Sequence, residues 1–259
     1  MTARMKYRIK RMSLLFIAAL LIGCSTTEVK EPPFNPEATF KQANDWIKEG
    51  KYAEARGLLE SIRTKDASRQ YAELAKLRIA DTYFEEEAYE EAAAEYESFL
   101  DLYPFHKYAS YAQYNLAMTF FKRITTVDVS FSTAQRALKE FGKLRRNYPR
   151  NPYMDVTDDR IKTCQRALAE YEFYVANFYF QKGSYNAAAL RYSSLLENFP
   201  DSVKDSEALY YLGLSYAKMG QRGKAINTLT TLINKYPTLE LSNEAKKQLS
   251  SFTYLIIKK

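Results

Sequence analysis

Residues Tyr171–Pro200, YEFYVANFYFQKGSYNAAALRYSSLLENFP, decide the fold. Ala176 and Tyr179 share one face of a helix, and Ala188, Tyr192 and Leu195, at steps of four and three, share a face of a second. Gly183 falls between the two runs, where the residue past a helix end often adopts the left-handed conformation that glycine reaches cheaply. Pro200 follows the second run, where its missing amide donor does no harm and the chain is forced to turn. The stretch predicts a helical hairpin in which small residues face bulky ones across a close seam.

Outward from it the same spacing recurs. An alanine followed twelve residues later by proline appears as Ala92/Pro104, Ala137/Pro149, Ala188/Pro200 and Ala225/Pro237, and a fixed period signals a repeat architecture. Four and seven residues beyond each alanine stand Tyr96 and Phe99, Phe141 and Leu144, Tyr192 and Leu195, Leu229 and Leu232. Upstream, Ala80/Tyr83 and Gly213/Tyr216 repeat Ala176/Tyr179, while Ala43, Trp46 and Ala55 make an earlier copy. Gly50 and Gly220 match Gly183.

These residues resemble the tetratricopeptide repeat from about Pro36 to Pro237. The resemblance implies an all-α fold: a right-handed α-solenoid of about five helical hairpins, closed by a capping helix over Ser242 to Lys258. Repeats one to three span 36–149 and repeats four and five, with the cap, 150–259. Phe120 and Ala137 stand seventeen residues apart where the other copies show nine, so repeat three carries an insertion of about eight residues at Ile124 to Thr133. A longer helix, Asp155 into Gln181, follows it. Repeat one has Lys65-Asp66-Ala67-Ser68 in place of the aromatic–proline ending.

The amino terminus reads as a targeting segment. Lys6, Arg8, Lys10 and Arg11 precede an apolar run from Leu14 to Ile22 and then Leu21-Ile22-Gly23-Cys24, the pattern of a bacterial secretion signal (1–23) ending in a lipobox. The run is too short for a spanning helix, which takes about 20 apolar residues. Cys24 is the expected lipidation site, and 24–35, rich in Ser, Thr, Glu and Pro, the expected flexible tether. Ser25 lacks the Asp that retains some lipoproteins at the inner membrane, so outer-membrane sorting is expected. Without the five basic residues of the signal, the balance is 38 − 5 − 31 = +2. A near-neutral chain without a basic run has no electrostatic footprint for nucleic acid.

Catalysis and metal binding find no support. His106 is the sole histidine, read as a surface-loop residue, so neither a His-based triad nor a multi-histidine metal site can be assembled. Cys164, inside a helical run, reads as a buried small hydrophobe. Ser215-Tyr216-Ala217-Lys218 matches S-x-x-K without its companion motifs, and Gly220-Gln221-Arg222-Gly223-Lys224 lacks the spacing of a phosphate loop. No enzyme, cofactor, catalytic residue or metal is expected, and the acidic turn Glu85-Glu86-Glu87 reads as a solvated loop.

What remains is binding. Aromatics are 15% of the chain, more than the seams require. The first-helix face turned away from the second helices carries Phe40, Asn44 and Ile47, then Leu77, Asp81 and Phe84, then Tyr111, Tyr114 and Met118. Such a lining suits an extended peptide ending in an aromatic residue, with ordinary packing between repeats as the alternative.

The Tyr171–Tyr179 run, Gly183-Ser184-Tyr185, Arg191 and Phe199-Pro200-Asp201, together with the lipobox, the five repeats, the insertion holding Val127-Asp128 and Ser130, and the Tyr148-Pro149 to Tyr153 turn, resemble the BamD/ComL/YfiO family of outer-membrane assembly lipoproteins. The resemblance implies a lipid-anchored protein on the periplasmic side of the outer membrane. Its carboxy-terminal repeats would hold the barrel-forming assembly protein, BamA in type, with Tyr185 and Arg191 at the contact. Other assembly lipoproteins are implied as partners, and the amino-terminal repeats would meet nascent outer-membrane proteins. Arg191 is expected to have no local partner; a solvated surface arginine is its alternative reading. The competing function is a tetratricopeptide lipoprotein that supports pilus secretin assembly or the cell-division envelope.

Overall fold

Small residues set against bulky ones determine how closely the helices approach. The computed structural model describes residues 33–127 and 130–257, and eleven helices lie among them. They are α1 (Pro36–Lys48), α2 (Tyr52–Lys65), α3 (Ala72–Glu85), α4 (Tyr89–Leu102), α5 (Ala109–Phe121), α6 (Phe131–Asn147), α7 (Met154–Gln181), α8 (Tyr185–Asn198), α9 (Asp205–Lys218), α10 (Arg222–Lys235) and α11 (Glu240–Ile257). Each packs mainly on its neighbours in sequence, which makes the chain an α-solenoid of helical hairpins with no strand among the described residues. Cys24, the signal and most of the tether lie outside those residues, as do Asp128 and Val129.

The seam residues are buried as their spacing predicts. Ala43 and Leu59, Ala80 and Tyr96, Ala117 and Phe141, and Ala176 and Tyr192 each have at most 1% of their surface exposed. In repeat five glycine stands where the others have alanine. A Cβ on Gly213 would lie 2.7 Å from both Cγ and Cδ2 of Leu229, too close for either atom to remain in place. Gly213→Ala is therefore expected to destabilise the chain. Overpacking costs about 1–3 kcal/mol and outweighs the gain of about 1 kcal/mol in helix propensity, leaving a net loss of about 1 kcal/mol in urea unfolding. A variant as stable as the parent would mean that Leu229 turns aside freely.

The turns repeat as well. Gly50, Gly183 and Gly220 hold φ of +75°, +74° and +73° between the helices of their hairpins, and Glu87 fills the same slot in repeat two at +60°. Pro104, Pro149, Pro200 and Pro237 each stand two residues past a second helix. The aromatic before each proline donates its amide to the carbonyl four residues back, as Tyr103 does to Phe99 at 2.8 Å. Asp66 replaces this device in repeat one. Its carboxylate accepts the Ser68 hydroxyl at 2.6 Å and the amides of Ser68, Tyr71 and Ala72 at 3.0, 2.8 and 3.2 Å, and so caps α3. The Ser68 hydroxyl bond, followed by those amides, holds the carboxyl below its usual range.

The extra length in repeat three is part loop and part helix. Nine residues stand between α5 and α6 in sequence where the other hairpins have three, and Phe131-Ser132-Thr133 add a turn to the start of α6. Ser130 fastens the loop by accepting the Thr125 amide at 2.9 Å, while Phe131 meets Tyr171 of α7 at 4.7 Å between ring centroids. Helix α7 is 28 residues long. Its first half packs on repeat three, burying Cys164, whose thiol burial pushes up to about 12; its second half is the first helix of repeat four. Helix α11 packs on α10 and α9, burying Ser242 and Ala245.

Candidate peptide-binding face

A polar chain runs across the first three repeats. Asn44 of α1 donates to the Phe40 carbonyl at 2.8 Å and accepts from Arg78 Nε at 2.9 Å. Arg78 Nη1 reaches Asp81 Oδ2 at 2.9 Å, and Asp81 Oδ1 accepts the hydroxyls of Tyr96 at 2.7 Å and Tyr111 at 2.9 Å. One carboxylate thus ties α3 to α4 and α5. Burial first, and the Asp81 charge second, push both phenols above their ordinary range, so each stays a donor.

Three of the nine expected lining residues are corrected by this arrangement. Asp81 is 6% exposed and turns toward the second helix, not away from it, because the buried Tyr96 hydroxyl requires an acceptor there. Leu77 and Met118, 5% and 7% exposed, sink into the core between hairpins. Phe40, Asn44, Ile47, Phe84, Tyr111 and Tyr114 are half-buried and keep part of their surface open. Phe40 tilts on Tyr71 at 5.6 Å, Phe84 meets Tyr89 edge-on at 5.5 Å, and Tyr114 stacks on Tyr153 at 4.5 Å. Sequence reasoning missed Arg78 and Tyr153. Arg78 stands three residues before Asp81, a pairing distance on a helix; Tyr153 gives no local signal.

Repeat four repeats the device with an amide. Asn177 occupies the place of Asp81 and accepts the Tyr192 hydroxyl at 2.7 Å. In front of it lies a cavity of about 550 Å³ whose lining includes Val127 of the insertion, Phe173, Tyr174, Phe178 and Lys204. Tyr174 and Phe178 are about half exposed, and Lys204 Nζ stands 5.0 Å over the Phe173 ring. This cavity was not anticipated, although two aromatics four residues apart off the seam positions were a readable sign of it.

Arg191 does have a local partner, which corrects the expectation of a free guanidinium. Its Nη1 lies 3.3 Å from Oε2 of Glu172 on α7. The same slot holds Lys76 and Glu95 at 3.2 Å in repeat two and Gln113 and Glu140 at 3.0 Å in repeat three, so each of these hairpins pins its two helices there with a polar pair. The Arg191 side chain remains 45% exposed. Tyr185 opens α8, half-buried and edge-on to Phe180 at 5.5 Å.

One other reading changes. His106 is not a free loop residue: it packs edge-on to Phe99 at 5.4 Å, and its Nε2 lies 3.5 Å from Glu73. Glu85, Glu86 and Glu87 are exposed, as a solvated turn requires, and Glu86 also pairs with Arg56 of α2, whose guanidinium lies 4.3 Å over the Tyr83 ring. Among the described residues no cluster of three His, Cys, Asp or Glu side chains could hold a metal ion, and no helix is long and apolar enough to cross a membrane.

Fold and face together define a tetratricopeptide-type solenoid whose open aromatic and polar surfaces suit protein–protein interaction. Residues 33–225 match the family model YfiO, described as an outer membrane lipoprotein, and the chain belongs to that family. Among its relatives, outer membrane protein assembly factor BamD of Haemophilus influenzae is 27% identical over 85% of this chain and 88% of its own. The protein of the same name from Vibrio cholerae is 25% identical over 83% and 93%. Among solved structures, the TPR2AB domain of yeast Sti1 in complex with pHSP90 aligns with a TM-score of 0.45 at 14% identity, covering 85% of this chain and 86% of that one.

Proposed function

We propose that this chain is a lipid-anchored, periplasm-facing component of the outer-membrane β-barrel assembly machine. Repeat four scaffolds the barrel-forming assembly protein, and repeats one to three receive nascent outer-membrane proteins. The observation that carries the reading is the family match over residues 33–225, with relatives named as assembly factors along most of the chain. The lipobox at Cys24 supports the anchor, since acyl chains contribute about 0.8 kcal/mol per buried methylene and hold a chain at a membrane stably when several act together.

On this reading Glu172 orients Arg191 while leaving other donors of its planar fork to meet a partner carboxylate bidentately. Phe40, Ile47, Phe84 and Tyr114 offer apolar surface to an aromatic-ended strand, with Asn44 and Arg78 for its backbone.

The test is affinity capture of the tagged full chain from gently solubilised envelopes. A polytransmembrane β-barrel partner with a periplasmic domain is the expected companion. Arg191→Ala should cut its recovery by a hot-spot loss of about 2 kcal/mol, and because it also leaves the nearly buried Glu172 unpaired, Glu172→Gln, which keeps Arg191, is the control for any fall in melting temperature. Cys24→Ala should leave a folded chain that high salt frees from the membrane fraction. Capture of a secretin or a peptidoglycan-linked complex in place of the barrel protein would overturn the reading.

A further inference from the structure

Phe105 is 99% exposed in the turn between α4 and α5, with Leu102, 62% exposed, and Tyr108, 41% exposed, on either side of it in sequence. The turn is held firmly. The Pro104 carbonyl accepts the Tyr148 hydroxyl at 3.0 Å, His106 packs edge-on to Phe99 at 5.4 Å, and His106 Nδ1 accepts the Tyr108 amide at 3.1 Å. A fixed scaffold thus displays an apolar tip that removal from water would stabilise.

The tip lies on the edge of the solenoid at which α1 begins. Phe40, one turn into α1, meets Tyr71 just before α3 at 5.6 Å. Glu73, in the first turn of α3, lies 3.5 Å from His106, and Tyr148 joins the next turn to Pro104. The start of α1 and the turns 66–71, 103–108 and 148–153 therefore share one edge. Cys24 stands twelve residues before Pro36 in sequence, and a flexible segment of that length spans about 20 Å. An acyl anchor at Cys24 accordingly keeps a membrane within reach of this edge.

We propose that the turn 103–108 dips Phe105 into the surface of the membrane that holds the anchor, with Leu102 and Tyr108 at the level of the headgroups. The proposal rests on the lipidation of Cys24 proposed above. Tyrosine and lysine suit that level, each with an apolar body and a polar end, and Lys107 Nζ stands 5.1 Å over the Tyr108 ring. Lys107 and Arg150 are exposed on the two joined turns, and so are Asp101 and Asp155 at the neighbouring helix ends, so the apolar tip and not net charge carries the contact. The opposite edge of repeat two does not fit a phospholipid surface, because it exposes Glu85, Glu86 and Glu87. The tip is too small to hold the chain without the anchor, since even one whole acyl chain binds only reversibly. Its effect is to fix which edge of the solenoid faces the lipid.

The test reads tryptophan quenching by phospholipids brominated in their acyl chains. The lipidated full chain, purified in detergent, is added to phosphatidylethanolamine–phosphatidylglycerol vesicles and floated with them. Trp46, the sole tryptophan, is replaced by Phe, and a new one is introduced by Phe105→Trp or, on the opposite edge, by Glu85→Trp. If Trp46→Phe lowers the melting temperature, Trp46 is kept and the parent's signal is subtracted. Quenching at least about threefold stronger in the Phe105→Trp chain is expected, and it should survive high salt, which screens charges but not an apolar contact. Equal quenching of the two variants in chains that float, or quenching abolished by salt, overturns the proposal and leaves the anchor standing. A chain that does not float removes the anchor and the proposal together. Loss of a crosslinked dimer in Phe105→Ser, with the Phe105→Trp chain unquenched, overturns it in favour of a second copy on the tip.

Discussion

Asp81→Ala is expected to destabilise the folded chain by about 3–5 kcal/mol, the range for removing one partner of a buried charged network. The Tyr96 and Tyr111 hydroxyls both lose their acceptor, and Arg78 loses its carboxylate. Each buried group left unsatisfied costs about 1–3 kcal/mol, so the two phenols alone approach that total. Asp81→Asn keeps an acceptor oxygen, as Asn177 does for Tyr192, and should lose less than half as much. Urea unfolding midpoints of the three proteins decide it; equal losses for Ala and Asn would show that the hydrogen bonds to Oδ1 contribute little.

The same site makes stability sensitive to alkali. Folding raises the pKa of both phenols, so their contribution is complete below the unfolded tyrosine pKa of about 10. Above it the unfolded chain releases protons that the folded chain retains, and stability falls as pH rises further.

Phe141→Ala should cost about 3–5 kcal/mol, the usual loss when a buried phenylalanine leaves a cavity. Phe141 is fully buried on α6, 6.1 Å from the Tyr114 ring and 6.0 Å from Phe121. Its removal takes the backing from Tyr114 and hence from the Tyr114–Tyr153 stack, coupling a core change to the open face. Phe141→Leu should be far milder, because Leu59 and Leu229 already serve at the equivalent seam position. Calorimetric unfolding measures both. A loss below about 1 kcal/mol for the alanine variant would mean that the surrounding helices collapse into the space.

The repeat was legible because helical periodicity is local. Ala176, Tyr192 and Leu195 identify themselves as seam residues by spacing alone, and the spacing survives the eight-residue interruption before Ala137. The glycine turns and aromatic–proline endings were legible for the same reason, since each rests on the φ preference or missing donor of a single residue. On the first-helix face, periodicity showed which side of each helix is apolar but not the depth of its residues. Leu77 and Met118 share a helical stripe with Phe84 and Tyr114, and no pattern within one helix tells which of them the next hairpin will cover.

Sequence alone therefore determined the helices, their pairing into hairpins, the place of the insertion and the unusual ending of repeat one. Only the tertiary structure decided that Asp81 joins three helices and that Glu172 engages Arg191. Periodicity reports which side of a helix is apolar. Hydrogen bonds and ion pairs between residues 15 to 34 positions apart depend on how neighbouring hairpins settle against one another, and that is a property of the packed solenoid.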